Sequence, residues 1–310
     1  MKIAIAGAGA MGSRFGYMLH KDGNDVLLID GWEDHVAAIN RDGLKVKLDN
    51  NEDIVKISCS LLSKAEGDFD LIIVFTKSMM TEEVINSCKH LIQENTIVLT
   101  LQNGLGNVEI IEQYVSRSQL LAGVTTYATE LLGPGKIQAL GSGITEMMQV
   151  DGNVTNELNL IVETFNAAGI NTKISPNVFS SIWTKVAFNA ALNPLCTLMN
   201  NTVASVGSYS QIEDVVNGII NEILAVAKEE KVDLNREKIL HMIYGVFDPA
   251  MSGHHLPSML QDLLNGRKTE IDYLNGAIVK KAEKHGLSVP NNLLIYHLIK
   301  MLEENNLTRV

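Results

Sequence analysis

The spacing of apolar residues changes once along this chain, and that change divides it. As far as about residue 175, short apolar runs alternate with stretches of helical spacing, the pattern of a parallel sheet covered by helices. Ile3–Ala6 is the first run, Met11–Lys21 a helix ending near Gly23, and Val26-Leu27-Leu28-Ile29 the second strand. After a variable stretch, Asp70-Leu71-Ile72-Ile73-Val74-Phe75 is the third strand. Thr81 is expected to cap the following helix, with Glu82 and Glu83 in its first turn where the macrodipole favours anions. Thr96–Leu101 predicts another strand and Asn107–Val115 another helix. Between Leu120 and Val150 the glycines in Leu132-Gly133-Pro134-Gly135 and Gly141-Ser142-Gly143 point to short antiparallel strands closing the sheet. A helix over Val154–Ala168 and a strand near Asn171–Ile174 end this region.

Beyond Ser175-Pro176-Asn177 nearly everything reads as helix, punctuated at Pro194, Gly207, Pro249, Pro257, Gly286 and Pro290. The expected organisation is therefore an α/β dinucleotide-binding Rossmann domain over residues 1–175 and an all-helical substrate and dimerisation domain over residues 176–310. A length of 310 residues suits two domains. With 46% hydrophobic and 20% charged residues the chain has the composition of an ordinary globular protein. Its net charge of −11 and scattered basic residues exclude the basic stripe that nucleic acid requires. No stretch reaches the length of a membrane span, and the N-terminus lacks a signal sequence, so a cytoplasmic protein is expected. Cys59, Cys88 and Cys196 lack zinc-site spacing and are expected to be structural thiols, with no metal site.

The chemistry begins at Gly7-Ala8-Gly9-Ala10-Met11-Gly12, which follows a strand and opens a helix. Gly7 permits the tight turn, Gly9 lets backbone N–H groups of the Ala10-Met11 turn approach a pyrophosphate, and Gly12 allows close packing of the helix. The next strand ends in Asp30. A carboxylate there accepts hydrogen bonds from both ribose hydroxyls and repels a 2′-phosphate, so NAD is favoured over NADP. The competing reading is that Asp30 caps the loop Gly31-Trp32-Glu33. Lys77 and Asn103 stand just past two further strands, where an open parallel sheet binds ligands, although either could serve only its turn. Farther on, Lys185, Asn189 and Asn193 recur at i, i+4 and i+8 on an apolar helix. They form one stripe, either a solvent-facing edge or, as the scarcity of other charges favours, the polar lining of a cleft. Thr269 with Asp272 resembles a capping box, and Gly276 within an apolar-periodic helix suggests close approach by another group.

Taken together, these residues resemble the ketopantoate reductase family over the full length. The matches are the glycine turn, Lys77, Gln102–Gly106, Trp183 with Lys185, Asn189, Asn193 and Pro194, Ser258–Asp262, and Thr269–Gly276. The resemblance implies a cytoplasmic homodimeric oxidoreductase that passes hydride from a nicotinamide to the C2 carbonyl of a 2-oxo acid, giving the D-2-hydroxy acid. It implies Lys185 as general acid, Glu270 as the carboxylate that positions lysine and substrate, and Asn103 and Lys77 at cofactor or site. Asn103, Asn189, Asn193, His255 and Ser258 stand at its substrate contacts. Members that use NADPH carry a basic residue where this chain has Asp30 or Gly31, and ketopantoate reductases carry asparagine at the position of His255. Both departures favour NAD-dependent D-mandelate and related D-2-hydroxyacid dehydrogenases that prefer C3-branched substrates. The close alternative is 2-dehydropantoate reduction for pantothenate synthesis. Two other readings are a non-catalytic dinucleotide-binding redox sensor and a dehydrogenase of phosphorylated substrates relying on Arg267 and Lys268.

Overall fold

A computed structural model describes residues 1–49, 51–248 and 256–307. The chain divides into two compact units, Met1–Gln102 with Asn107–Val178, and Asn103–Gly106 with Phe179–Val310.

The first unit begins with β1 (Lys2–Ala6), α1 (Ala10–Lys21), β2 (Asp25–Asp30), α2 (Glu33–Asp42), β3 (Leu44–Lys47), β4 (Glu52–Val55) and β5 (Ser58–Leu61). It continues through β6 (Leu71–Val74), α3 (Thr81–Cys88), β7 (Ile97–Thr100), α4 (Asn107–Ile111), β8 (Leu120–Thr125), β9 (Ala128–Gly133), β10 (Lys136–Leu140) and β11 (Thr145–Gln149), ending in α5 (Asn156–Ala167) and β12 (Thr172–Ile174). Eight strands form one sheet in the order β12-β11-β8-β7-β6-β1-β2-β5. β1 sits between parallel neighbours, with Ile3 opposite Val26 on one side and Leu71 on the other. β6, β1 after Lys2, and Val26, Leu28 and Ile29 of β2 are buried, as strands covered on both faces must be, which is why they read as apolar runs.

The stretch from Leu120 to Val150 differs from expectation. β8 joins the main sheet parallel to β7, and only β11 pairs antiparallel to β8. β9 and β10 instead join β3 and β4 in a second sheet, ordered β4-β3-β10-β9. Thr81 does not cap α3. Met80 occupies the cap position, and the Thr81 hydroxyl shares its one proton between the Ser78 carbonyl at 2.8 Å and Asn107 Oδ1 at 2.9 Å.

The second unit is helical: α6 (Val178–Met199), α7 (Val203–Gly207), α8 (Ile212–Glu229), α9 (Arg236–Gly245), α10 (Ser258–Leu264), α11 (Asn275–His285) and α12 (Pro290–Leu307). Val216, Ile219, Ile220 and Ile223 of α8 pack with Ala187, Ala190 and Ala191 of α6 and Ile278 of α11 in its core. Pro194 does not end a helix: α6 continues through it to Met199. Thr269 and Asp272 do not form a capping box either. The Thr269 N–H and hydroxyl both donate to Glu303 Oε1, while Asp272 accepts from Tyr296 and Lys300, and α11 starts only at Asn275. A Cβ on Gly276 would lie 2.8 Å from the Tyr296 ring, which is the close approach its sequence context suggests.

Candidate active site

In the first unit the glycine turn lies between β1 and α1. Gly7 has φ +101°, and a Cβ there would lie 2.4 Å from the Thr76 backbone nitrogen. A Cβ on Gly12 would fall 1.9 Å from the Gly7 carbonyl oxygen, so the helix can sit this close only without a side chain. Gly9 differs from both: a Cβ there would meet nothing within 4 Å. It opens α1 without a side-chain cap, and no acidic residue occupies the first turn. The amides at the start of such a helix have no intrahelical partner, and Ala10 and Met11 carry two of them. Open space in front of Gly9 with donors behind it fits a pyrophosphate.

Asp30 closes β2, and its Oδ1 accepts from the Trp32 N–H at 2.9 Å. The capping reading of Asp30 is thus realised, and it fixes the orientation of a carboxylate at the C-terminal end of β2. Lys77 follows β6 on the loop that presses Thr76 against Gly7, at the same end of the sheet.

A residue that the sequence reading passes over supports this turn. His35 of α2 is buried, its Nε2 lies 2.9 Å from the Ala8 carbonyl, and its Nδ1 accepts from the Gly135 N–H at 3.0 Å. Since Gly135 can only donate, Nδ1 is unprotonated and Nε2–H donates to Ala8. Burial pushes the His35 pKa down, consistent with that neutral ring. Trp32 stacks on it with ring centres 5.4 Å apart.

The second unit contains the other half of the chemistry. Asn103, Asn189, Asn193, Ser258, Met259, Asp262, Glu270 and Leu274 line one small cavity. Asn103 belongs here because Leu105 N–H donates to the Tyr273 carbonyl at 2.8 Å, and Gly104, at φ +88°, leaves room for Tyr273. Asn189 and Asn193 share one face of α6, so the stripe is a lining rather than a solvent edge. Lys185 is on the same stripe and only partly accessible. Burial brings its pKa down to about 8, against the opposing pull of the Glu270 carboxylate. Glu270 is 8% exposed.

Met259, Asp262 and Leu274 are lining residues missed from sequence. Asp262 had a usable signal, since it stands at i+4 from Ser258 on α10 and therefore on the same helix face. It also pairs with Arg267 at 3.0 Å, which gives that arginine a partner other than a phosphate. His255 lies outside the described residues. Cys59, Cys88 and Cys196 are buried thiols, with pKa values pushed up by burial to about 12, 11 and 12. Among the described residues no helix is long and apolar enough to cross a membrane, and no group of three His, Cys, Asp or Glu side chains could hold a metal.

Both parts of the chain match known proteins. Residues 3–152 match the family described as ketopantoate reductase PanE/ApbA, and residues 177–303 match its C-terminal part. The 2-dehydropantoate 2-reductase of Lactococcus lactis is 41% identical over 307 residues, covering 98% of each chain. The ternary structure of D-mandelate dehydrogenase with NADH and anilino(oxo)acetate is similar with a TM-score of 0.95 and 40% identity, covering 99% of each chain. A PanE/ApbA family ketopantoate reductase from Ralstonia eutropha is similar at a TM-score of 0.89 and 30% identity, covering 99% of each chain.

Proposed function

The chain belongs to the ketopantoate reductase PanE/ApbA family, whose members are NAD(P)-dependent 2-oxo acid reductases, and we propose that this one uses NADH to reduce a C3-branched 2-oxo acid to its D-2-hydroxy acid. The observation that carries the reaction is a single cavity uniting Asn103, Asn189, Asn193, Ser258 and Glu270, beside a lysine whose pKa burial holds near working pH. Bound NADH supplies the hydride. The glycine turn, through the amides of Ala10 and Met11, holds its pyrophosphate, and Asp30 accepts from the ribose hydroxyls. Lys77 orients the cofactor end of the site. Asn103, Asn189, Asn193 and Ser258 hold the 2-oxo acid through hydrogen bonds to its carboxylate and carbonyl. As negative charge grows on the carbonyl oxygen, the Lys185 ammonium stabilises it and then gives it a proton. Glu270 keeps that ammonium oriented. A sensor without turnover would have no use for a proton donor so placed.

The pH dependence follows from the sign of the lysine's shift. Reduction needs the ammonium, so kcat/KM for the 2-oxo acid should fall as pH rises through about 8, and oxidation of the hydroxy acid should rise through the same value. A reduction profile that stays flat between about pH 7 and 9.5 would remove Lys185 from the proton transfer.

Cofactor choice rests on Asp30 and on the absence of Arg or Lys from Asp30 through Asn40. Asp30→Arg should shift the ratio of kcat/KM for NADPH to that for NADH by about tenfold or more in favour of NADPH, the worth of one charge-assisted hydrogen bond. A wild-type enzyme that already prefers NADPH would contradict this reading.

The name carried by the Lactococcus lactis relative favours a second reading, reduction of 2-dehydropantoate itself. A homodimer is part of the proposal, supported by Leu293, Leu294 and Met301 of α12, which are 40%, 61% and 56% exposed.

A further inference from the structure

Pro194 stands inside α6, one residue after Asn193 and one turn after Ala190. Proline has no N–H, so it withholds from the Ala190 carbonyl the hydrogen bond that an i+4 residue normally gives. A buried carbonyl left without a donor is a defect, and here it would fall between the two asparagines that line the cavity.

The missing donor comes from another helix. Asn275, the first residue of α11, is fully buried, and its Nδ2 donates to the Ala190 carbonyl at 3.1 Å. The second hydrogen of the same NH2 goes to Asn292 Oδ1 at 3.0 Å. Because both partners are acceptors, the orientation of the Asn275 amide is fixed. Asn292, also fully buried, donates in turn to the Ile219 carbonyl at 3.2 Å and to Glu222 Oε2 at 2.7 Å on α8. A line of hydrogen bonds therefore runs from α6 through α11 and α12 to α8. Asn275 Oδ1 has no partner among the described residues. An apolar side chain would avoid that orphaned oxygen, so the NH2 group is what accounts for an amide at this position.

We propose that Asn275 is a positioning residue for the reaction: it replaces the hydrogen bond that Pro194 removes and so holds the turn of α6 bearing Asn189 and Asn193, with Lys185 directly before it. Its neighbour Leu274 lines the same cavity, so one short segment supplies part of the wall and the brace behind the opposite wall.

The inference rests on the lysine-based reading of the site and is tested by a double-mutant cycle. Asn275→Ala, Pro194→Ala and the double variant are compared by steady-state kinetics, with Lys185→Ala alongside. Asn275→Ala should lower kcat by about 10–100-fold, the scale of a misplaced reacting group, while the KM for NADH stays within about twofold. Pro194→Ala gives Ala190 its helical N–H back, so the further loss on adding Asn275→Ala should be at least about threefold smaller than in the wild-type background. Equal losses in the two backgrounds, or an unchanged kcat, would overturn the proposal. Should Asn275→Ala fail to fold, recovery of soluble protein in the double variant reads the same coupling in its favour, and a double variant that is equally insoluble counts against it. Unchanged turnover in Lys185→Ala would instead sink the reading of the site, whereas a Lys185-dependent enzyme indifferent to Asn275 sinks only this inference.

Discussion

Lys185→Ala lowers kcat for 2-oxo acid reduction by about 10²–10⁴, the range that a positioned general acid contributes, and leaves the affinity for NADH nearly unchanged. The separation is expected because the lysine and the glycine turn belong to different compact units of the chain. Alanine removes both functions of the side chain, its positive charge beside the developing oxyanion and the proton it gives up. Lys185→Arg distinguishes them. It keeps a charge but holds its proton at any working pH, so it should recover only part of the loss. Neither variant removes a residue whose side chain is central to the core, so the thermal midpoint serves as a control. Unchanged turnover in Lys185→Ala would end the assignment.

Gly9→Ala folds normally and loses its cofactor. A Cβ at Gly9 meets nothing within 4 Å of protein and the residue's φ is −58°, so the substitution strains neither packing nor backbone. Its thermal midpoint should stay within about 3 °C of wild type, since Gly→Ala at a compatible position changes stability by less than about 1 kcal/mol. The methyl group occupies the space assigned to the pyrophosphate, and the Kd for NADH should rise by roughly 10–100-fold, the cost of overpacking a tight contact. Gly12→Ala is the contrast. Its Cβ would lie 1.9 Å from the Gly7 carbonyl, so the turn itself must move, and stability and binding should fall together. Wild-type NADH binding by a well-folded Gly9→Ala variant would place the dinucleotide elsewhere.

Much of this was legible in the residues because the physics involved is local. A buried parallel strand must be apolar throughout, so Ile3–Ala6 and Leu71–Val74 announce themselves. Three glycines between strand and helix have few other uses. The stripe of Lys185, Asn189 and Asn193 was readable because an otherwise apolar helix leaves few places for three polar residues. What stayed hidden depends on partners distant in sequence. β3 and β4 are four-residue strands with lysines and acids, too polar to stand out, and β3 finds its second neighbour only when Lys45 meets Lys136. Thr81 and Thr269 look like caps until Ser78, Asn107 and Glu303 claim their hydroxyls. Pro194 reads as a helix end because the donor that rescues its helix, Asn275, comes from a different helix. Asn103 follows a strand of the first unit, yet the contact of Leu105 with Tyr273 ties it to the second. The role of His35 required knowing that Gly135 would come to meet it.

The most direct test of the proposed function is one matrix of kcat/KM values, NADH and NADPH each against 2-ketoisovalerate, benzoylformate, ketopantoate and pyruvate, with the configuration of the product determined. The expected result is a preference for NADH, highest turnover with 2-ketoisovalerate or benzoylformate, weak activity on pyruvate, and a D-2-hydroxy acid as product. Preference for NADPH with ketopantoate as the best substrate would contradict it, and would make Asp30 a loop cap and nothing more.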